Sequence, residues 1–182
     1  MKTAKPSPRA SAGQPTGPPA RKAPADAPLY HGSDRKLTAL LPRSSRVLDG
    51  ARRTFATTSF ETAVIFIPKW TDSDLEYGSV AGVRYVMEQY PGAFGLLRAS
   101  GFVHEVSPAN FETDARLGLS NEYVSTKKEV VQKVTPVRDA LRTLRRTDLV
   151  FVPFEEKERW LKGLLRRLRR RAQAEARRDK GG

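Results

Sequence analysis

Two histidines and no cysteine limit the chemistry open to this chain of 182 residues. Without cysteine there is no thiol nucleophile, no disulfide framework and no Cys-ligated zinc. His104 stands inside Phe102-Val103-His104-Glu105-Val106 with no second His or Cys at ligand spacing, so no metal is assigned. No glycine-rich phosphate loop is found. What remains is hydroxyl, imidazole, aromatic and carboxylate chemistry in three short clusters: Leu29-Tyr30-His31-Gly32-Ser33, Thr54-Phe55-Ala56-Thr57-Thr58 and Asn121-Glu122-Tyr123-Val124-Ser125. An imidazole and a hydroxyl can hold a ligand's hydroxyl groups, a ring can stack, and a carboxylate can face developing positive charge. Taken singly, each residue also has a plainer use: His31 capping a strand end, Phe55 in a core, Glu122 solvated on a strand.

The elements that must position these clusters are mostly short strands. Leu29–Ser33 reads as an apolar strand ending in a turn, and an Arg- and Ser-rich loop runs from there to Arg53. Thr54–Thr58 is β-branched and aromatic, hence a second strand. Ser59 is an N-cap for a helix over Phe60–Ile67 that stops before Pro68, with Thr62 at the capping-box position. Trp70 to Gly82 reads as acidic and turn-like. Val83–Tyr90 is a strand turned by Pro91-Gly92. Further strands are expected at Phe102–Val106, Glu122–Ser125, Val130–Val137 and Val150–Val152. Val137, Leu141 and Leu144 recur at helical spacing, which predicts a helix over Val137–Arg146. Many short strands, few helices and no βαβ rhythm predict an α+β fold with a compact, mostly antiparallel sheet.

In this order the clusters, together with Gly101-Phe102-Val103-His104-Glu105-Val106-Ser107-Pro108, resemble the ADP-ribosyltransferase-like fold of the PARP and toxin type. They look closest to small single-domain members such as the rifamycin-inactivating ADP-ribosyltransferases, over about residues 29–140. The resemblance implies NAD as a substrate, split at the nicotinamide bond through an oxocarbenium-like state. The ADP-ribosyl group would pass to a protein, nucleic-acid or small-molecule acceptor, or to water. It further implies that His31 binds the adenosine-side ribose and that Gly32 lets backbone N–H and C=O approach the carboxamide. Ser33 fills a slot often held by Thr, and Thr57 belongs to the same binding set. Phe55 stands where many relatives carry Tyr, so stacking survives without the hydroxyl. Tyr30, also counted in the binding set, and Tyr77, Tyr85 and Tyr90 are reserve platforms. Glu122 best fits the catalytic glutamate; in the rifamycin-inactivating relatives the acid stands earlier, which here points to Glu112 or Asp114. An RNA 2′-phosphate chemistry within the same fold lacks its usual His-Gly-His-type opening and ranks low.

The formal charge of +13 is concentrated at the two ends. Residues 1–28 hold five basic residues against one acidic, residues 155–182 hold 11 against five, and residues 29–154 are close to neutral at 17 against 14. Seven prolines among residues 1–28, with almost nothing apolar, predict a disordered basic arm. No apolar stretch marks that arm as a secretory signal, and no run approaches the roughly 20 residues needed to span a bilayer. The expectation is a soluble, cytoplasmic protein: an arm over 1–28, an ADP-ribosyltransferase-like domain over 29–154, and a basic amphipathic helix with its tail over 155–182. In that helix Trp160, Leu161, Leu164, Leu165 and Leu168 form one stripe and Arg166, Arg167, Arg169, Arg170 and Arg171 cover the rest. It can pack on the domain, or lie on nucleic acid or an anionic membrane. The alternative function is therefore a catalytically inactive member of the fold, acting as a nucleic-acid-binding or structural protein through its basic ends.

Overall fold

A computed structural model describes residues 20–45, 48–80, 82–117 and 121–178, with side chains to residue 170. Most of the proline-rich arm, residues 1–19, lies outside the described residues. The chain runs β1 (Leu29–Ser33), β2 (Ala39–Leu40), β3 (Arg43–Ser44), β4 (Arg52–Thr57), α1 (Phe60–Ile65), β5 (Leu75–Val80), β6 (Val83–Glu88), β7 (Gly101–Val106), β8 (Glu122–Ser125), β9 (Glu129–Val137), α2 (Ala140–Leu144), β10 (Val150–Val152) and α3 (Lys157–Arg178). The larger sheet has the order β2-β9-β7-β1-β4-β3, with β8 also paired to β4, and is antiparallel. The smaller sheet, β10-β6-β5, contains the parallel pair β10–β6. This is the expected α+β architecture with a mostly antiparallel sheet and few helices.

The larger sheet is apolar on both faces. On one face Val64 and Ile65 of α1 and Leu141 and Leu144 of α2 pack with Val103 and Val137 of this sheet, Leu75 and Val86 of the smaller sheet, and Leu97. The opposite face buries Ala23, Leu29, Leu40, Ala56, Val106 and Phe111. Strand alternation sends Leu29 to one cluster and Tyr30 to the other. α1 starts where Ser59 Oγ accepts the Thr62 N–H, and ends where the Trp70 indole donates to the Ile65 carbonyl at 2.7 Å, just past Pro68. The strand–helix packing is close. A Cβ on Gly32 would lie 1.9 Å from the Ala63 carbonyl oxygen, and one on Gly101 would lie 2.4 Å from Ile67.

Three expectations change. The stretch over Trp70 to Gly82 is not only a turn: Leu75–Val80 is β5, paired residue for residue with β6. Its alternation is hidden by Glu76 and Gly78; a Cβ on the latter would lie 2.9 Å from the Tyr85 hydroxyl. The helix expected over Val137–Arg146 is the shorter α2, because Val137 pairs with Gly101 as the end of β9 and Asp139 caps the helix on the Arg142 N–H. Order also begins before residue 29. Arg21 and Thr113 exchange hydrogen bonds, and the Ala23 N–H donates to the Phe111 carbonyl at 3.0 Å. Residues 21–23 thus line the 111–113 segment, whose Glu112 bridges Val124 of β8. α3, whose placement the sequence leaves open, meets the domain in its first turn through Lys157 and Trp160, while Leu161, Leu165 and Leu168 are exposed.

Candidate active site

β4 is gripped on one edge at two separate places. Thr57 pairs with Tyr30 of β1, and Arg52 and Arg53 pair with Ser44 and Arg43 of β3. Between these points β1 and β4 part, and the His31 ring enters the seam. Its Nδ1 lies 2.8 Å from the Phe55 carbonyl oxygen. A carbonyl can only accept, so Nδ1 carries the proton and Nε2 is left as the ring's acceptor. Burial, first, and the nearby His104 and Arg43 hold the His31 pKa below its ordinary value against the opposing bond to Phe55, so the neutral ring is favoured. The seam opens into a cavity of about 330 Å³ lined by His31, Ser33, Phe55, Leu37, Arg43 and Arg53, among others.

His104 sits behind this wall and is fully buried. It pairs with His31 across β1 and β7, its Nδ1 lies 3.2 Å from the His31 carbonyl, and its Nε2 accepts the Leu37 N–H at 3.0 Å. Both ring nitrogens are used, so His104 ties the cavity loop at Leu37 to the strand carrying His31.

Glu122 lies on the other face. Thr57 is the cross-strand partner of both Tyr30 and Glu122, and directly opposed residues share a face. That face is the α1 side, where Tyr30 packs edge-on against Phe60 at 5.8 Å. Next to Glu122 the Asn121 amide donates to the Thr62 hydroxyl at 3.3 Å, and Thr62 shares a 2.8 Å hydrogen bond with Tyr77. Burial, first, raises the Tyr77 pKa; the Glu122 and Glu61 carboxylates add to it, while Thr62 and Arg84 oppose. Arg84 bonds Ser59, Glu61 and Asp148. A network of hydroxyls, an amide and a guanidinium thus runs beside the acid, whose charge is felt at Tyr77.

The residues singled out in the sequence therefore form two groups. His31 and Ser33 line the cavity, where the Phe55 carbonyl holds the His31 ring, while Tyr30, Thr57 and Glu122 form one cross-strand row on the α1 face, which the Phe55 side chain shares by alternation. Gly32 faces α1, and the close approach of the Ala63 carbonyl gives its missing side chain a packing cause. Thr57 is buried, and its hydroxyl accepts the Ser59 N–H at 3.2 Å, shaping the turn into α1. Of the reserve aromatics, Tyr77 adjoins the Glu122 group, whereas Tyr85 binds Glu76 and Tyr90 binds Asp74 in the β5–β6 region. The other acids have different surroundings. Asp114 is held by Arg116, which brings its pKa down to about 2, and Glu112, bridged between Lys22 and Val124, has its carboxylate 3.5 Å from the Lys22 ammonium. Among the described residues no three His, Asp or Glu side chains gather into a metal site.

Sequence reasoning missed Arg43, Arg53, Tyr77 as a neighbour of Glu122, and Arg84. Arg43 and Arg53 were legible only as members of a basic loop. Their register as opposed like charges, an arrangement that disfavours itself without an anion nearby, exists only in the folded chain. No protein-family model matches this chain, and neither a curated protein nor a solved structure matches it.

Proposed function

We propose that the protein splits NAD at the bond between nicotinamide and ribose, and passes the ADP-ribosyl group to an acceptor or to water. The observation that carries this reading is the seam between β1 and β4. A cavity with an acceptor imidazole nitrogen, a hydroxyl and an arginine opens on one face, and a carboxylate beside a polar network lies on the other. A ligand that uses both must be long and must reach across the seam. A dinucleotide, two nucleosides on a diphosphate, has that form. His31 Nε2 accepts from a ribose hydroxyl, Ser33 adds a second polar contact, Phe55 supplies apolar surface, and a guanidinium such as Arg43 suits a diphosphate. As the C–N bond to nicotinamide breaks, its electron pair leaves with nicotinamide and positive charge builds on the ribose. The Glu122 carboxylate stabilises that charge until acceptor oxygen or nitrogen bonds to the same carbon and gives up its proton.

Nicotinamide release from labelled NAD is the direct test. Glu122→Gln keeps the shape and removes the charge, and is expected to slow release by about 100-fold or more with unchanged unfolding behaviour. Absence of release by the wild type, or equal release by the variant, removes this reading. A second reading, an inert platform that docks through its basic ends, is favoured by one observation: α3 stands largely clear of the domain. Calorimetric titration with NAD separates the two before any acceptor is known, since only the first requires heat of binding that His31→Ala diminishes.

A further inference from the structure

The geometry of α3 points to an anionic lipid surface as its partner, an inference independent of the NAD reading. The helix is anchored in its first turn, where the Lys157 ammonium donates to the Gln89 side-chain oxygen and the Trp160 ring packs on the domain. The Trp160 ring lies 4.6 Å from that of Tyr85, against Met87 and Val152. Past this anchor Leu161, Leu165 and Leu168 are 37%, 54% and 36% exposed, while Leu164 is half-buried. Around it, residues 157–170 carry seven basic side chains (Lys157, Arg159, Lys162, Arg166, Arg167, Arg169, Arg170) and the single acid Glu158. No helix of the described residues is long and apolar enough to cross a membrane.

Charge and apolar surface together select among occupants. A second copy of the helix would bury the leucines but would bring two strongly basic faces together. A nucleic acid would match the arginines but offers its phosphates, not apolar surface, to the stripe. A bilayer containing anionic lipids meets both demands. The leucines enter the boundary between headgroups and acyl chains, and the flanking Lys and Arg stems reach outward to the phosphates. Each base near such a surface adds to the attraction, which makes binding sensitive to salt.

The full chain, mixed with vesicles of phosphatidylcholine alone or with about one-third phosphatidylglycerol, tests this by co-sedimentation. Partition into the anionic vesicles is expected to be at least ~10-fold stronger and to weaken as salt is raised. The triple variant Leu161→Gln, Leu165→Gln, Leu168→Gln keeps every charge and good helix formers, and circular dichroism verifies that it is folded. It is expected to lose vesicle binding by a similar factor. Equal partition into both kinds of vesicle, no partition into either, or unimpaired binding by the triple variant overturns the inference. A fluorescein-labelled DNA duplex and a single-stranded RNA serve as the competing probes. Binding of either by wild type and triple variant alike, with vesicles left unbound, assigns the helix to nucleic acid and overturns the lipid assignment.

Discussion

His31 and His104 face each other across β1 and β7, and neither can take a second proton cheaply. On His104, Nε2 must keep its lone pair for the Leu37 N–H. Burial lowers the pKa of both from the ordinary 6.5. The unfolded chain therefore binds these protons before the folded one does as pH falls. Stability is fully present above the unfolded value and declines as pH drops through about 6.5 toward the depressed folded values. A melting series from about pH 7.5 down to about pH 5 should show this fall. His104→Gln, which retains an acceptor for Leu37 and cannot be protonated, should flatten it. A series unchanged by that substitution would mean that carboxylates, not these histidines, govern the acid limb.

Short elements depend on single polar side chains where their backbone groups lack sheet or helix partners. Glu88, at the end of β6, is buried and accepts the Phe94 N–H at 2.7 Å and the Phe154 N–H at 3.2 Å. It joins the 3-10 turn Ala93–Leu97 to the turn Phe154–Glu156 that leads into α3. Glu88→Ala leaves both donors without their acceptor and should cost about 2–4 kcal/mol in urea unfolding, with Glu88→Gln costing less. Nothing local announces this role: in the sequence Glu88 is one acid in a strand, and Phe154 lies 66 residues further on. By contrast β1 and β8 are legible to the residue, because alternation and the flanking turn residues lie within the segment itself. β5 and the paired segment 21–23 are not. A glycine, charges and prolines mask them, and only their neighbours in space make them strands.

At the scale of the whole molecule, the charge excess and the candidate site occupy different parts. The site lies in the nearly neutral middle of the chain, and the excess of the C-terminal end belongs to α3 and its tail. Since α3 touches the domain in its first turn, through Lys157 and Trp160, removing residues 165–182 should shift the melting temperature by no more than about 2 °C, whereas Trp160→Ala should lower it by roughly 3–8 °C through loss of about 1–2 kcal/mol of packing. A large shift on truncation would show that the leucine stripe is buried on the domain, contrary to the exposure of Leu165.

The sequence by itself determined the α+β class, most strands, the Ser59 cap and the amphipathic C-terminal helix, because alternation, capping and helical spacing are relations between residues a few positions apart. It also drew attention to His31, Ser33, Phe55 and Glu122 as residues able to do chemistry. Only the tertiary structure decided that His31 bonds to Phe55 across 24 residues, that His104 holds Leu37 across 67, and that Arg43 stands opposite Arg53 beside the cavity. It also set Glu122 on the opposite face of the sheet from His31. The reason is strand order and register: they arise from burying two apolar clusters at once, a constraint no short segment carries alone.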